Sequence, residues 1–222
     1  MKSSAETTPD LFADASAAPT TEWLQDGAVV LRAFALASAA ALIEGVAQVA
    51  ARSPFRHMTT PGGGRLSAVM TSCGAFGWVS DRRGYRYEPG DPESGQPWPD
   101  MPDAFRALAT TAAAQAGFDG FDPDSCLINR YEPGAKMGLH QDRDERDRGQ
   151  PIVSVSLGLP VVFQFGGPNR TDPVRKIPLG HGDVVVWGGP ARLNWHGVLT
   201  LKDGGHLLTG RARLNLTFRR AR

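Results

Sequence analysis

Cysteine is the first scarcity. Two thiols in 222 residues, Cys73 and Cys126, make no disulfide framework and fit a reducing compartment. They also cannot supply a Cys-rich zinc site, so metal chemistry falls to histidine and carboxylate. An excess of one charge is equally lacking: 24 basic residues stand against 23 acidic, a formal charge of +1. Contact with nucleic acid must therefore rest on a local patch and not on the molecule as a whole. Long apolar runs are missing too. The most apolar stretch, Ala33 to Ile43, is stopped by Glu44 and is too short to cross a bilayer, so no membrane span is expected. The N-terminal residues have no basic start leading into an apolar run, so no signal peptide is expected and a cytoplasmic location follows. No internal repeat or second domain is visible, and the length suits one domain with its own core.

Read in order, residues 1–21 mix small polar residues with two prolines and predict a disordered tail. Ala28–Leu31 reads as a short strand. Ser38 is a candidate N-cap for an Ala-rich helix to about Arg52, whose Leu42, Val46 and Val49 face a sheet. Leu66–Thr71 predicts a strand, and Gly74–Trp78 a turn and a second one. Arg82, Arg83, Tyr85, Arg86 and Tyr87 interleave cations with aromatics, a pattern that suits either a nucleic-acid strand or a solvated hairpin. After a Pro- and Gly-rich loop, a second helix should start near Pro102, with Phe105, Leu108, Ala109, Ala112 and Ala116 inward and Gly117 closing it. From Leu127 short strands alternate with turns, which predicts a sandwich or barrel.

The chemistry gathers in Leu127–Asp144, LINRYEPGAKMGLHQDRD. His140 and Asp142 are separated by one residue and can project from one side of an extended backbone. The alternative is a polar surface turn. With His196 as a third ligand they would form two imidazoles and one carboxylate on one face of an octahedron, the non-haem Fe(II) arrangement. Near the C-terminus, Leu214, Leu216 and Phe218 alternate with Arg213, Asn215, Thr217 and Arg219. That is either an edge strand with a solvated face or a strand lining a polar pocket, with guanidinium forks for a carboxylate. Asn129 and Tyr131 share a face with Leu127, as a pocket wall or as a satisfied buried pair.

On Asn129-Arg130-Tyr131, His140-x-Asp142, His196 and Arg213-x-Asn215-x-x-x-Arg219, the chain resembles the AlkB-type alkylated-DNA repair dioxygenases of the Fe(II)/2-oxoglutarate superfamily, from about Asp10 to Arg219. The resemblance implies an α+β, mainly β fold. Its core is a double-stranded β-helix (jelly roll) over about 125–220, with two N-terminal supporting helices and a nucleotide-binding lid over about 55–98. It implies Fe(II) on His140, Asp142 and His196, with 2-oxoglutarate and O₂ as co-substrates. Arg219 would take the distal C5 carboxylate and Arg213 the C1 end, helped by Asn129, Arg130, Tyr131 and Asn215. The implied substrate is single-stranded or flipped-out DNA, and RNA as a further class, carrying 1-methyladenine or 3-methylcytosine. Hydroxylation of the methyl releases formaldehyde, with succinate and CO₂ from the co-substrate. Trp78 matches the stacking residue; Tyr85, Arg86, Tyr87, Arg170 and Thr60 match or approach nucleotide contacts, and Asp144 matches a base-contacting carboxylate. A monomer with no obligate protein partner is expected. Two rivals remain: an oxygenase acting mainly on RNA, a protein or a small molecule, and a binding module without turnover.

Overall fold

The computed structural model describes residues 19–222. The tail expected over 1–21 lies outside the described residues as far as residue 18; Thr20 and Thr21 already belong to a strand. In chain order the elements are β1 (Thr20–Gln25), β2 (Ala28–Arg32), α1 (Ala39–Arg52), β3 (Arg56–Thr59), β4 (Arg65–Gly74), β5 (Gly77–Asp81) and β6 (Gly84–Glu88). There follow α2 (Asp103–Gln115), β7 (Ser125–Tyr131), β8 (Met137–His140), β9 (Ile152–Gly158), β10 (Val161–Phe165), β11 (Arg175–Leu179), β12 (Val184–Trp187), β13 (His196–Val198) and β14 (Arg213–Arg219).

Both helices form where the apolar spacing places them. Leu42, Val46 and Val49 of α1 are buried, as are Phe105, Leu108, Ala109 and Ala112 of α2. Gly117 ends the second helix at φ +85°, a left-handed conformation that glycine adopts without a Cβ clash.

The strands form an eight-stranded sheet in the order β1-β2-β12-β9-β14-β7-β4-β3, a four-stranded sheet in the order β11-β10-β13-β8, and the separate hairpin β5-β6. Neighbouring strands run antiparallel throughout. This is a mainly β jelly-roll core with two helices behind it. The strand repeat of two divides the large sheet cleanly. Val29, Leu31, Cys126, Ile128, Val153, Val155, Leu157, Leu214, Leu216 and Phe218 pack with α1 and α2. The opposite face carries Val30, Leu127, Tyr131, Ile152, Val185 and Trp187, which meet Phe163, Phe165, Ile177, Leu179 and Val198 of the smaller sheet. Each large apolar side chain so enclosed contributes about 1.5–3 kcal/mol. β14 is therefore a central strand, flanked by β7 and β9. Its polar face looks into the space between the sheets instead of into solvent.

Candidate active site

Three elements bring the metal-binding set together. β8 ends at His140, and Asp142 follows in the loop. β13 opens at His196, whose Cα pairs in register with that of His140. The imidazole rings are 4.4 Å apart, and Asp142 Oδ1 lies 3.7 Å from His140 Nε2 and 3.9 Å from His196 Nε2. The ligand atoms of the three residues all lie within 4.8 Å of one another. The Nδ1 of His140 meets the Gly138 carbonyl at 2.9 Å, and that of His196 meets the Asn194 carbonyl at 3.0 Å. A carbonyl can only accept, so Nδ1 carries the proton in both rings and Nε2 presents its lone pair to the same point.

The electrostatics suit a cation. Burial by itself would raise the Asp142 carboxyl. Arg219 and then the two histidines outweigh it and hold Asp142 ionised, well below the usual carboxylate range. Burial and the neighbouring His140 push His196 down to about 4, so it is neutral and ready to ligate at physiological pH.

The polar face of β14 supplies the next layer. Arg219 donates from Nε and Nη2 to Asp142 Oδ2 at 2.9 and 2.7 Å, leaving Oδ1 for the histidine side. Arg213 is 1% exposed and makes one hydrogen bond, to Ser156 Oγ at 2.9 Å, with its guanidinium 5.2 Å from the Tyr131 ring centroid. Its Nε and Nη1 have no partner, and neither have Arg219 Nη1 and Asn129 Oδ1. Burial pulls the Arg213 pKa down, with Tyr131 offsetting part of that. Asn215 donates to Ser154 Oγ and to the Val155 carbonyl.

A cavity of about 190 Å³ opens beside His140 and Asp142, lined also by Trp78, Tyr85, Met70, Met137, Asp144 and Arg219 among others. A second, of about 60 Å³, adjoins it and reaches Asn129, Tyr131, Arg213 and Asn215. Trp78 and Tyr85 stack with ring centroids 5.6 Å apart, and Trp78 Nε1 donates to Asp144 Oδ2 at 2.8 Å.

A model of the 2OG-Fe(II) oxygenase superfamily matches residues 27–219. The alpha-ketoglutarate-dependent dioxygenase AlkB of Escherichia coli K12 is 57% identical over 212 residues, spanning 96% of this chain and 97% of that protein. This chain belongs to the 2OG-Fe(II) oxygenase superfamily, as an AlkB-type dioxygenase. Over a shorter span, a DNA N(6)-methyladenine demethylase of Arabidopsis thaliana is 40% identical across 44% of this chain and 24% of that protein. The solved structure of OsALKBH1 superposes with a TM-score of 0.77 at 30% identity, covering 89% of this chain and all of that one.

An AlkB-type dioxygenase uses Fe(II), with 2-oxoglutarate and O₂ as co-substrates. The donor set fits them. His140, Asp142 and His196 offer two imidazole nitrogens and an ionised carboxylate to one point. Buried arginine donors without partners are costly, and a dicarboxylate would satisfy them.

Several expected residues sit elsewhere. Arg130 lies on the opposite face of β7 from Asn129 and Tyr131, exposed and paired with Glu132 at 3.3 Å, so it does not reach the arginine pocket. Arg86 is on the far face of β6 from Tyr85 and is held by Asp81 and Glu88. Tyr87 is buried, and its hydroxyl donates to Glu145 at 2.6 Å and not into the cavity. Arg170 is exposed and stacks over Trp195 at 4.8 Å, outside the cavity lining. Thr60 stands in a turn and accepts from Gly64 N at 3.0 Å. Arg219 braces the metal carboxylate, whereas Arg213, assigned to the metal end by resemblance, carries two of the three unpartnered arginine donors beside the adjoining cavity.

Sequence reasoning missed Glu145 and Arg192. Both are almost fully buried and are joined at 3.0 Å. Glu145 had been hidden in the charged run Asp142–Arg148, which carries no local sign of which acid turns inward.

Proposed function

We propose that this enzyme removes N-alkyl groups oxidatively from nucleobases, with 1-methyladenine and 3-methylcytosine in single-stranded DNA as its principal substrates. The observation that carries this reading is a cavity that has His140 and Asp142 of the metal-binding set in its lining and is walled by stacked Trp78 and Tyr85. Aromatic faces suit a planar base, and they favour one made cationic by methylation by about 0.5–2 kcal/mol. The demethylase name of the Arabidopsis relative supports the same substrate class.

His140, Asp142 and His196 would hold the iron. With 2-oxoglutarate and O₂ it supplies the oxidising equivalent that hydroxylates the methyl carbon, yielding succinate and CO₂. The unstable hemiaminal then releases formaldehyde and restores the base. The chain's own residues position the reactants. Arg213, with two donors unpaired and Tyr131 and Asn129 beside it, takes the distal C5 carboxylate. Arg219 stands at the chelating end, where it fixes which Asp142 oxygen faces the metal. Trp78 and Tyr85 wall the base, and Asp144, oriented by the Trp78 indole, offers its other oxygen to a cationic ring or its exocyclic amine. The strands and loops over about 55–98 act as the lid. Its exposed cations without an ion pair are Arg65 and Arg82, because Asp81 partly neutralises Arg83 and Arg86. The enzyme works as a monomer.

The test is succinate and formaldehyde release by the Fe(II)-loaded protein, with and without a methylated oligonucleotide. Formaldehyde in step with restored base supports the reading. Succinate without any dependence on DNA or RNA lesions assigns the chemistry to another substrate.

A further inference from the structure

Four charged side chains and one phenol meet in a closed group behind the metal set. Glu145, 4% exposed, accepts from the Tyr87 hydroxyl through Oε1 at 2.6 Å and from Arg192 Nη2 through Oε2 at 3.0 Å. The same Oε1 lies 3.3 Å from Arg219 Nε. Arg192, 3% exposed, reaches the Asp142 backbone carbonyl from Nη1 and the Gln150 carbonyl from Nε, both at 3.0 Å. Arg219 completes the group on Asp142 Oδ2. Two carboxylates and two guanidiniums thus balance one another in a buried setting. There each hydrogen bond is electrostatically strong, and each partner lost leaves a stranded charge.

The group joins three parts of the chain that carry different duties. Tyr87 belongs to β6, the strand whose Tyr85 stacks on Trp78 in the substrate wall. Asp142 is the metal carboxylate. Arg192 follows a short 3-10 turn at Gly189–Ala191, leading into β13 and His196. Glu145 alone touches all three supports: the phenol of the hairpin, the arginine on the Asp142 side chain and the arginine on the Asp142 backbone. The direct route from the hairpin to the metal carboxylate is Tyr87 Oη, Glu145 Oε1, Arg219 Nε, Asp142 Oδ2.

We propose that Glu145 is a positioning residue that couples the aromatic hairpin β5-β6 to the metal carboxylate, so that seating a base against Trp78 and Tyr85 tightens the hold on the metal. The proposal rests on the metal and nucleobase reading given above. Glu145 borders the base cavity, but both of its carboxylate oxygens are taken up by Tyr87, Arg192 and Arg219. It acts by fixing Arg219, which in turn keeps Oδ1 of Asp142 turned toward the two histidines. A hairpin drawn onto its substrate moves the Tyr87 phenol against Oε1, and the arginine bridge transmits that displacement to Asp142. Coupling of this kind is reciprocal: base binding tightens metal binding by the factor with which metal tightens base binding.

The experiment uses the full chain with Mn(II), which occupies such sites without turnover. The Mn(II) dissociation constant is measured by the loss of the free-ion EPR signal, with and without a 1-methyladenine oligonucleotide. In the wild type the oligonucleotide should tighten Mn(II) by roughly five- to a hundredfold. Tyr87→Phe removes only the hydroxyl and keeps the ring packing; in it the factor should fall toward one, with the thermal midpoint close to wild type. Glu145→Gln, which keeps the shape and removes the charge, should lose the factor and also weaken Mn(II) in the absence of DNA. An undiminished factor in Tyr87→Phe, or no factor in the wild type, overturns the proposal while leaving the metal site standing. Failure of the wild type to bind Mn(II), or equal binding by His196→Ala, refutes the metal reading and this inference with it.

Discussion

Replacing Arg213 by methionine should change ligand binding and stability in opposite directions. In the ligand-free protein the guanidinium is fully enclosed, donates one hydrogen bond to Ser156 and leaves Nε and Nη1 unpaired. Burial has already lowered its pKa, which marks a charge held against its preference. Removing it therefore relieves the free protein, and the melting temperature without 2-oxoglutarate should stay level or rise. With the co-substrate bound the same charge is paired. Losing one partner of a buried pair costs about 3–5 kcal/mol, so the 2-oxoglutarate requirement should rise by roughly two hundred- to several thousand-fold. The assay is thermal denaturation of the Mn(II) form across a 2-oxoglutarate titration, together with succinate formation by the Fe(II) form. A wild type at a hundred times its dissociation constant gains about 2.7 kcal/mol of stability, and at that concentration the variant should gain almost none. Arg213→Lys should recover little, because an ammonium lacks the planar fork. A rise of less than about tenfold in the requirement of Arg213→Met, with the steep rise appearing in Arg219 variants instead, would refute this placement and restore the assignment suggested by resemblance.

Substituting His140, Asp142 or His196 singly by alanine should abolish demethylation and Mn(II) binding; iron-dependent turnover in His196→Ala would show that another residue is the distal ligand. Asp144→Ala should keep metal and 2-oxoglutarate binding while slowing repair of cationic lesions more than of a neutral one such as 1-methylguanine. Equal losses on paired oligonucleotides would remove its charge-recognition role. The metal-free protein should lose stability as pH falls. His196 has a folded-state pKa of about 4 against 6.5 for the free side chain, so its contribution is complete above 6.5 and is lost as pH drops toward 4. Over that window the loss approaches ~3 kcal/mol, and a urea midpoint unchanged between pH 7 and pH 4.5 would contradict it.

Alternation made much of the site legible in advance. Arg213, Asn215, Thr217 and Arg219 had to share a face, and so did Leu127, Asn129 and Tyr131. The same rule already excluded Arg130 from that face, although the Asn-Arg-Tyr motif includes it; parity was the better guide. Register was not legible. Which arginine meets Asp142 depends on how β14 pairs with β7 and on where the loop after β8 carries the carboxylate, contacts between residues 77 positions apart in sequence. β3, β8 and β11 hold only one or two apolar residues each among polar residues, Gly and Pro, too few for a clear alternation, and β1 was hidden in a polar stretch. Glu145 and Arg192 were invisible for a related reason: their burial exists only because two distant segments bring each a partner.

The helices lie on the far side of the sheet from the metal, yet they determine what the site contains. A slip of β14 by one residue would turn its arginines backwards and its leucines into the cavity. Behind the strand, the Phe105 ring of α2 meets the Phe218 ring edge-on with centroids 6.0 Å apart. Phe105 can lie there because residue 45 of α1 has no side chain; a Cβ on Gly45 would come within 2.6 Å of that ring. The contact proofreads parity: only the register that seats Phe218 against Phe105 sends its neighbour Arg219 forward to Asp142. An alanine at Gly45, far from any substrate, is thus a substitution that reaches the iron ligands through two phenyl rings and the next residue along the chain.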